Sequence, residues 1–407
     1  MSKLKNFKQL VFNRSWSELF SRAFELTFGY ILYAISFLIP RNHKRWVFGT
    51  NVGFADNAKY LYIATEKYND IDSCWISETK QEAKELQKRG IKVHYKYSLI
   101  GLYYCLTAKF YIFTYHSRDI NFFTSGGAKK INLWHGVGIK KGSKSISKSM
   151  PSWLSRILLP HMYEHFDLFL STSPLMTEHF KEMFSMPQDV IYEGMYPRCS
   201  FLMMPEDKIN QIITATEPLE TINLIYKIKT FNKAYVYMPT WRINLKDDFI
   251  SAAGIDFEQI DRIMKKQNSI FLFKLHPAVK IVHQQHTYTN ILFIDKAMDM
   301  YSILPYTDML ITDYSSIYYD YLLMPNKQIL LYPFDIIDYK KHSDELAFDY
   351  EKYTPGKRVY RFDELCSIIS DTAADCNISQ RQWVLQQFWG DYKNNGVTQL
   401  IHKIQSL

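Results

Sequence analysis

Four short segments of the chain hold residue types that do chemistry when they stand at the ends of strands. The first is Leu133-Trp134-His135-Gly136, running on into Val137-Gly138-Ile139-Lys140-Lys141-Gly142. A histidine leaving an apolar run into a glycine-bearing loop stands where backbone can approach a ligand. Its near-neutral titration suits it to take a proton from a hydroxyl; the alternative is a strand-capping histidine bonded to backbone. The second segment, Pro239-Thr240-Trp241-Arg242, ends its run at proline. Arg242 then either holds a phosphate through two parallel bonds or stacks on Trp241 at the surface. The third is His276-Pro277 with Lys274 just upstream, and His276 occupies the same topological place as His135. The fourth is Met309-Leu310-Ile311-Thr312-Asp313-Tyr314-Ser315-Ser316, followed by a helical pattern at 317–323. Hydroxyls of Thr312, Ser315 and Ser316 beside the unpaired N–H groups of a helix start form an anion site, unless a serine is only an N-cap.

Alternating elements must position these segments. From residue 45 onward short apolar runs, at 45–49, 73–76, 92–97, 110–115, 131–134 and 168–171, are separated by helical patterns such as 56–68 and 79–89. A charged, weakly periodic break follows at 197–212. The alternation then restarts with runs at 234–238, 270–275, 291–294, 309–312 and 328–332. Two successive β-α blocks predict an α/β protein of two Rossmann-type parallel-sheet domains facing each other across a cleft. The expected division is a basic, apolar N-terminal segment at 1–44, a first Rossmann-like domain at 45–204 and a linker at 205–232. A second Rossmann-like domain at 233–378 and a helical segment at 379–407 complete it. Ligands of such sheets bind at the carboxyl ends of strands, where all four segments fall.

Composition narrows the class further. A 47% hydrophobic and 22% charged chain of 407 residues is globular, excluding a disordered or disulfide-stapled protein. The balance of 49 basic to 41 acidic residues gives a net charge of +8 and favours anionic partners. No run of five basic residues occurs, which argues against nucleic acid. Five cysteines without a C-x-x-C pair fit reduced thiols. The chain has no Walker A motif, no G-x-G-x-x-G after a strand and no nucleophile elbow, so neither cofactor nor metal is expected.

The uncharged run at 26–39 is too short to span a bilayer and too far from the start for a cleavable signal. With Lys3, Lys5, Lys8, Arg14 and Arg22 ahead of it, it reads as a helix lying in the headgroup layer. The alternative is a helix packed on the protein's own core. Residues 139–162, with four lysines preceding Trp153, Leu154, Ile157, Leu158 and Met162, form a second such candidate.

In this order the four segments resemble the CDP-glycerol glycerophosphotransferase family, which builds or primes teichoic acids and related polyol-phosphate polymers, some capsules included. Further matches are Gly194 with Pro197-Arg198, Asp335 through Tyr339, Asp349-Tyr350, Pro355-Gly356 and Gly396. The resemblance covers roughly residues 45–400. It implies a GT-B-like fold, with the C-terminal domain binding CDP-glycerol or another CDP-polyol. It also implies peripheral attachment to the cytoplasmic face of the cell membrane, where a lipid-linked glycan or polyol-phosphate acceptor resides. It casts His135 as general base on the acceptor hydroxyl, within a loop that includes Trp134, Gly136 and Lys140, and His276 as a catalytic residue that contacts the transferred phosphate or assists charge development. Arg242, Thr312, Ser315 and Ser316 would hold the diphosphate, while Asp313 would orient their loop or a donor hydroxyl. Cys199 and Val137-Gly138 depart from the family's usual residues, which bears on acceptor identity. The competing readings are a nucleotide-sugar glycosyltransferase of the same fold and a non-catalytic glycan-binding protein.

Overall fold

The computed structural model describes residues 16–139, 152–242, 249–275, 288–342, 346–371, 378–391 and 396–407. They form two compact units. Unit 1 takes its described residues from Met1–His135, Gly142–Arg198 and Asp391–Leu407; unit 2 takes them from Gly136–Lys141 and Cys199–Gly390.

Unit 1 is built on seven strands: β1 (Asn42–Gly49), β2 (Asp72–Ser77), β3 (Val93–Tyr95), β4 (Ala108–Phe113), β5 (Lys129–Asn132), β6 (Leu168–Ser171) and β7 (Ile191–Glu193). Their order is β3-β2-β1-β4-β5-β6-β7. Every pairing is parallel. A parallel sheet is covered on both faces, so its central strands read as continuous apolar runs, not as alternation. Trp46, Val47 and Phe48 in β1 and Tyr111, Ile112 and Phe113 in β4 are accordingly all buried. Trp46 lies opposite Phe110 in the register, their rings 5.0 Å apart.

Unit 2 repeats the plan with β8 (Lys233–Tyr237), β9 (Ser269–Phe273), β10 (Ile291–Phe293), β11 (Met309–Thr312), β12 (Gln328–Leu331) and β13 (Lys357–Arg358). The order β10-β9-β8-β11-β12-β13 is again fully parallel. In both units the direction of winding reverses between the first and fourth strands, the crevice where such sheets take ligands. The reversal lies between β1 and β4 in unit 1 and between β8 and β11 in unit 2.

Six helices matter below: α1 (Trp16–Ser36), α2 (Asp56–Thr65), α3 (Leu99–Thr107), α4 (Ser152–Leu158), α5 (Ile317–Leu322) and α6 (Val397–Gln405). Helix α1 is seated on unit 1 and does not stand away from it. A side chain at Gly29 would put its Cβ 2.6 Å from the Phe123 ring, so glycine permits the close approach. Tyr33 stacks on Phe122 at 4.9 Å. Arg41, just past α1, donates to the carbonyls of Cys105, Ser36 and Thr124 at 2.8, 3.1 and 2.9 Å, tying three segments together. The outer side of α1 is apolar and exposed at Phe28, Ile31 and Ile35. No helix among the described residues is long and apolar enough to cross a membrane.

The structure departs from the expected division. Residues 205–232 are not a linker: they hold the helices Glu206–Thr216 and Leu219–Ile228 of unit 2. Ile209, Ile213 and Thr216 recur at helical spacing and are buried, a stripe that the flanking charge masked. The segment 379–407 is helical as expected but is divided between units, and α6 belongs to unit 1. Leu400, Ile401 and Ile404 of α6 are fully buried.

Candidate active site

In unit 1 the carboxyl ends of β4 and β5 bring together Tyr115, Trp134 and His135. The His135 ring stacks on Tyr115 at 4.3 Å and meets Trp134 at 4.0 Å. His135 as a residue is partly exposed, while its Nδ1 is buried with no hydrogen-bond partner. That vacancy rules out the strand-capping alternative through Nδ1. Burial, then the positive charge of Arg198 and the neighbouring His116, push the imidazole down to about 3, so at neutral pH it is an unprotonated acceptor.

Second-rank residues fix this histidine's backbone. Trp134 stands in the left-handed region at φ 52°, a conformation a bulky residue adopts only when its surroundings impose it. Its N–H donates to Asn132 Oδ1 at 2.8 Å, and its carbonyl accepts from Asn57 Nδ2 at 2.8 Å. Its indole packs edge-on to Phe184 at 4.6 Å. Asn57 Oδ1 in turn accepts from the Arg198 N–H at 3.3 Å, and the Arg198 guanidinium pairs with Asp56, which is also left-handed at φ 61°. Asp56 and Asn57 open α2 just beyond β1, so the switch point of unit 1 holds the histidine loop. Sequence reading missed this pair; an Asp-Asn step opening the first helix after the first strand was the available signal.

Beyond Gly136 the chain belongs to unit 2. Val137 and Ile139 are buried there, and the Ile139 carbonyl accepts from the Ala347 N–H at 2.5 Å. Residues 137–139 are therefore anchored to unit 2. A Cβ at Gly138 would lie 3.5 Å from Ser316 Cβ, which places this segment against the β11–α5 turn. Lys140, His276 and Pro277 lie outside the described residues. Lys274, two residues before His276, donates to the carbonyls of Asp295, Lys296 and Met298 at 2.5, 3.0 and 3.0 Å. Burial lowers its ammonium to about 8 despite Asp295 and Asp299 nearby.

The unit 2 switch point is held by ions. Arg242 sends Nε and Nη2 to the two oxygens of Asp335 at 2.9 and 2.8 Å and gives Nη1 to Asp313 and the Thr240 carbonyl. Aromatic rings of Tyr314, Phe334 and Tyr339 lie 5.1–5.3 Å from its guanidinium. Burial alone would lower the arginine's affinity for its proton, but Asp313 and Asp335 outweigh it and raise it. Arg242 is only 4% exposed. With one cation between two carboxylates, this group carries no spare positive charge. Arg242, expected to hold a diphosphate, thus spends its guanidinium on Asp313, Asp335 and the Thr240 carbonyl. Asp313 holds the loop as well, accepting from the N–H groups of Thr240 at 2.8 Å and Tyr314 at 2.6 Å. It thereby joins the ends of β8 and β11, and Tyr350 donates to its carbonyl at 3.1 Å.

The Thr312 hydroxyl, also expected at the diphosphate, is buried and donates to the Met238 carbonyl at 2.7 Å. Thr312→Val should therefore cost about 1–3 kcal/mol of stability by stranding that carbonyl, with the Michaelis constant for the donor unchanged. Thermal unfolding and steady-state kinetics on the same variant check both halves. Ser315 and Ser316 remain half-exposed at the start of the six-residue α5, and Ser316 makes no side-chain capping bond. The buried hydroxyl of Thr240, whose own N–H meets Asp313, has no partner. Among the described residues no cluster of three His, Cys, Asp or Glu is placed to hold a metal ion. The D-x-D step Asp70-Ile71-Asp72, which sequence reading passed over, sits at the amino end of β2, where Asp72 pairs with Arg45 and Lys92.

A scan against family models matches residues 31–403 to "CDP-Glycerol:Poly(glycerophosphate) glycerophosphotransferase". The chain belongs to that family. Among curated glycerophosphotransferase-family relatives, the teichoic acid poly(glycerol phosphate) polymerase of Bacillus spizizenii is 24% identical over 84% of this chain and 87% of its own length. The teichoic acid glycerol-phosphate transferase of Staphylococcus aureus is 24% identical over 82% of this chain and 85% of its own. The poly(ribitol-phosphate) polymerase of Bacillus spizizenii is 26% identical over 68% of this chain, which spans only 43% of that longer protein. Two structures of the wall teichoic acid polymerase TagF, both of one single-residue variant and one of them soaked with CDPG, superpose with TM-scores of 0.70 and 0.69. They cover the whole of this chain and 96% of theirs at 17% and 18% identity, so they establish a shared fold.

Proposed function

We propose that this glycerophosphotransferase-family protein moves glycerol phosphate, or a related polyol phosphate, from its CDP ester to a hydroxyl on a membrane-linked acceptor. The acceptor oxygen attacks the polyol-bearing phosphorus, the bond from that phosphorus to the CMP oxygen breaks, and CMP leaves. His135 takes the acceptor's proton. The observation that carries this reading is the neutral imidazole of His135 past the carboxyl end of β5, held by Asn57 and Trp134, within a family match that spans nearly the whole chain. As a resting base near pKa 3 the imidazole is weak, and a substrate phosphate beside it would raise its affinity for a proton. Ser315, Ser316 and the Thr240 hydroxyl are the donors proposed for the diphosphate, framed by Arg242, Asp313 and Asp335. His276 is proposed to touch the transferred phosphate.

The test is CMP release from CDP-glycerol and from CDP-ribitol, each with a lipid-linked disaccharide and with a polyol-phosphate-primed lipid. Release of a nucleoside diphosphate from a nucleotide sugar, with no CMP from either CDP ester, would replace this reading by the glycosyltransferase one.

Attachment to the membrane surface is part of the same proposal. Phe28, Ile31 and Ile35 form one exposed line on α1, and Trp153 and Ile157 form another on α4. Such side chains gain by entering the acyl boundary of a bilayer without crossing it. Converting Phe28, Ile31 and Ile35 together to serine should abolish co-sedimentation with lipid vesicles while leaving thermal unfolding unchanged. Full retention on vesicles would remove α1 from the proposal.

A further inference from the structure

We infer that unit 1 carries a second binding site, a pocket for the phosphate head of a membrane-embedded amphiphile. A cavity of about 240 Å³ is walled by Lys96, Arg118, Asn121 and His161 on its polar side and by Phe122 and Phe123 on its apolar side. Lys96 is 8% exposed and places its ammonium 2.6 Å from each oxygen of Glu78, also in the wall, so that pair is neutral. Arg118 is exposed and has no ion-pair partner among the described residues, which leaves the wall with one net positive charge. A guanidinium fork matches two phosphate oxygens, and one phosphodiester would balance that charge.

The rim identifies the rest of the ligand. Leu26, Tyr97 and Leu158 also line the cavity and make its rim apolar. Tyr97 leads to exposed Leu99 and Ile100 at the start of α3. Leu158 ends α4, which carries exposed Trp153 and Ile157, and Leu26 lies on α1, whose other side carries exposed Phe28 and Ile31. Tyr30 of α1 donates to the Ile157 carbonyl of α4 at 2.8 Å, so these two helices meet. Three apolar elements of one unit thus border a basic cavity. A dissolved anion gains nothing from such a rim, whereas a lipid with phosphate ahead of its hydrocarbon satisfies both parts. The phosphate can belong to an anionic phospholipid or to a lipid-linked diphosphate; both present a phosphate ester at the bilayer surface. This inference rests on the membrane-surface reading above.

The experiment is co-sedimentation of the full chain with three vesicle types: phosphatidylcholine alone, phosphatidylcholine with phosphatidylglycerol, and phosphatidylcholine with a polyprenyl diphosphate. Arg118→Gln should weaken binding to one or both phosphate-enriched types by about fivefold or more, and the type affected names the ligand. Arg118→Lys, which keeps the charge and loses the fork, should recover only part of it. Lys84→Gln, an exposed charge outside the pocket, should change binding less than twofold. Equal losses for Arg118→Gln and Lys84→Gln would overturn the pocket, since they report only the surface field. Unchanged binding of Arg118→Gln beside strong wild-type binding would overturn the pocket alone. Failure of the wild-type chain to bind any vesicle would overturn the membrane reading and the pocket with it.

Discussion

Replacing His135 by glutamine is expected to cut CMP release by about 10²–10⁴-fold, the usual contribution of a positioned general base. The fold should survive, because the imidazole gives no hydrogen bond from Nδ1 to the protein and stacks only on Tyr115 and Trp134. The pH profile supplies an independent check. Only the unprotonated ring accepts a proton, and its pKa is lowered from 6.5 to about 3. The acid limb of kcat/KM, which reports the substrate-free protein, should therefore lie well below pH 6.5. An ordinary surface histidine would lose most of its activity by pH 5.5. The limb in kcat, which reports the loaded protein, should sit higher if bound phosphate raises the imidazole's affinity for a proton. Turnover of His135→Gln above a tenth of wild type, at unchanged thermal stability, would remove this residue from the chemistry.

The second large effect is on stability. Arg242→Ala leaves the Asp313 and Asp335 carboxylates buried without their cation, and breaking such a buried pair costs about 3–5 kcal/mol. For a unit of this size that corresponds to a fall in melting temperature of roughly 6–20 °C. Arg242→Lys keeps the charge but cannot reach both carboxylates and the Thr240 carbonyl from one ammonium, so it should recover less than half of the loss. If Arg242 instead gripped the diphosphate, the lysine variant would raise the Michaelis constant for the donor and barely move the melting temperature. Calorimetry and donor titration of the lysine variant separate these outcomes.

Much of the fold was legible because a parallel sheet writes its central strands as plain apolar runs. Leu168–Ser171 and Met309–Thr312 appear with the bounds expected. The strands passed over were Ile191–Glu193, only half-buried at a sheet edge, and the two-residue Lys357–Arg358, which has no apolar run at all. The helices at 206–228 were hidden because their buried stripe is thin beside many charges. At the site, sequence located the strand ends correctly in kind but not the direction of each side chain. Arg242 looked like an anion ligand because nothing in its neighbourhood reveals Asp335, 93 residues away. Thr312 looked like a donor to substrate because the carbonyl it serves lies just past the end of another strand, 74 residues earlier. Partnerships across a sheet depend on strand order, which no local pattern records. The Asn57–Trp134 bond escaped for the same reason, spanning 77 residues.

The membership of α6 in unit 1 has a consequence for how the chain is made. Ribosomes deliver residues 1–198 long before residues 397–405, and the whole of unit 2's principal segment is synthesised in between. At about 5–20 residues per second that interval is on the order of 10–40 s. Throughout it the face of α2 that α6 covers stays open to water, with the bond from Gln405 to Asp70 and the burial of Leu400, Ile401 and Ile404 still to come. The nascent chain thus carries a nearly complete first sheet with an apolar seam that only its late residues close.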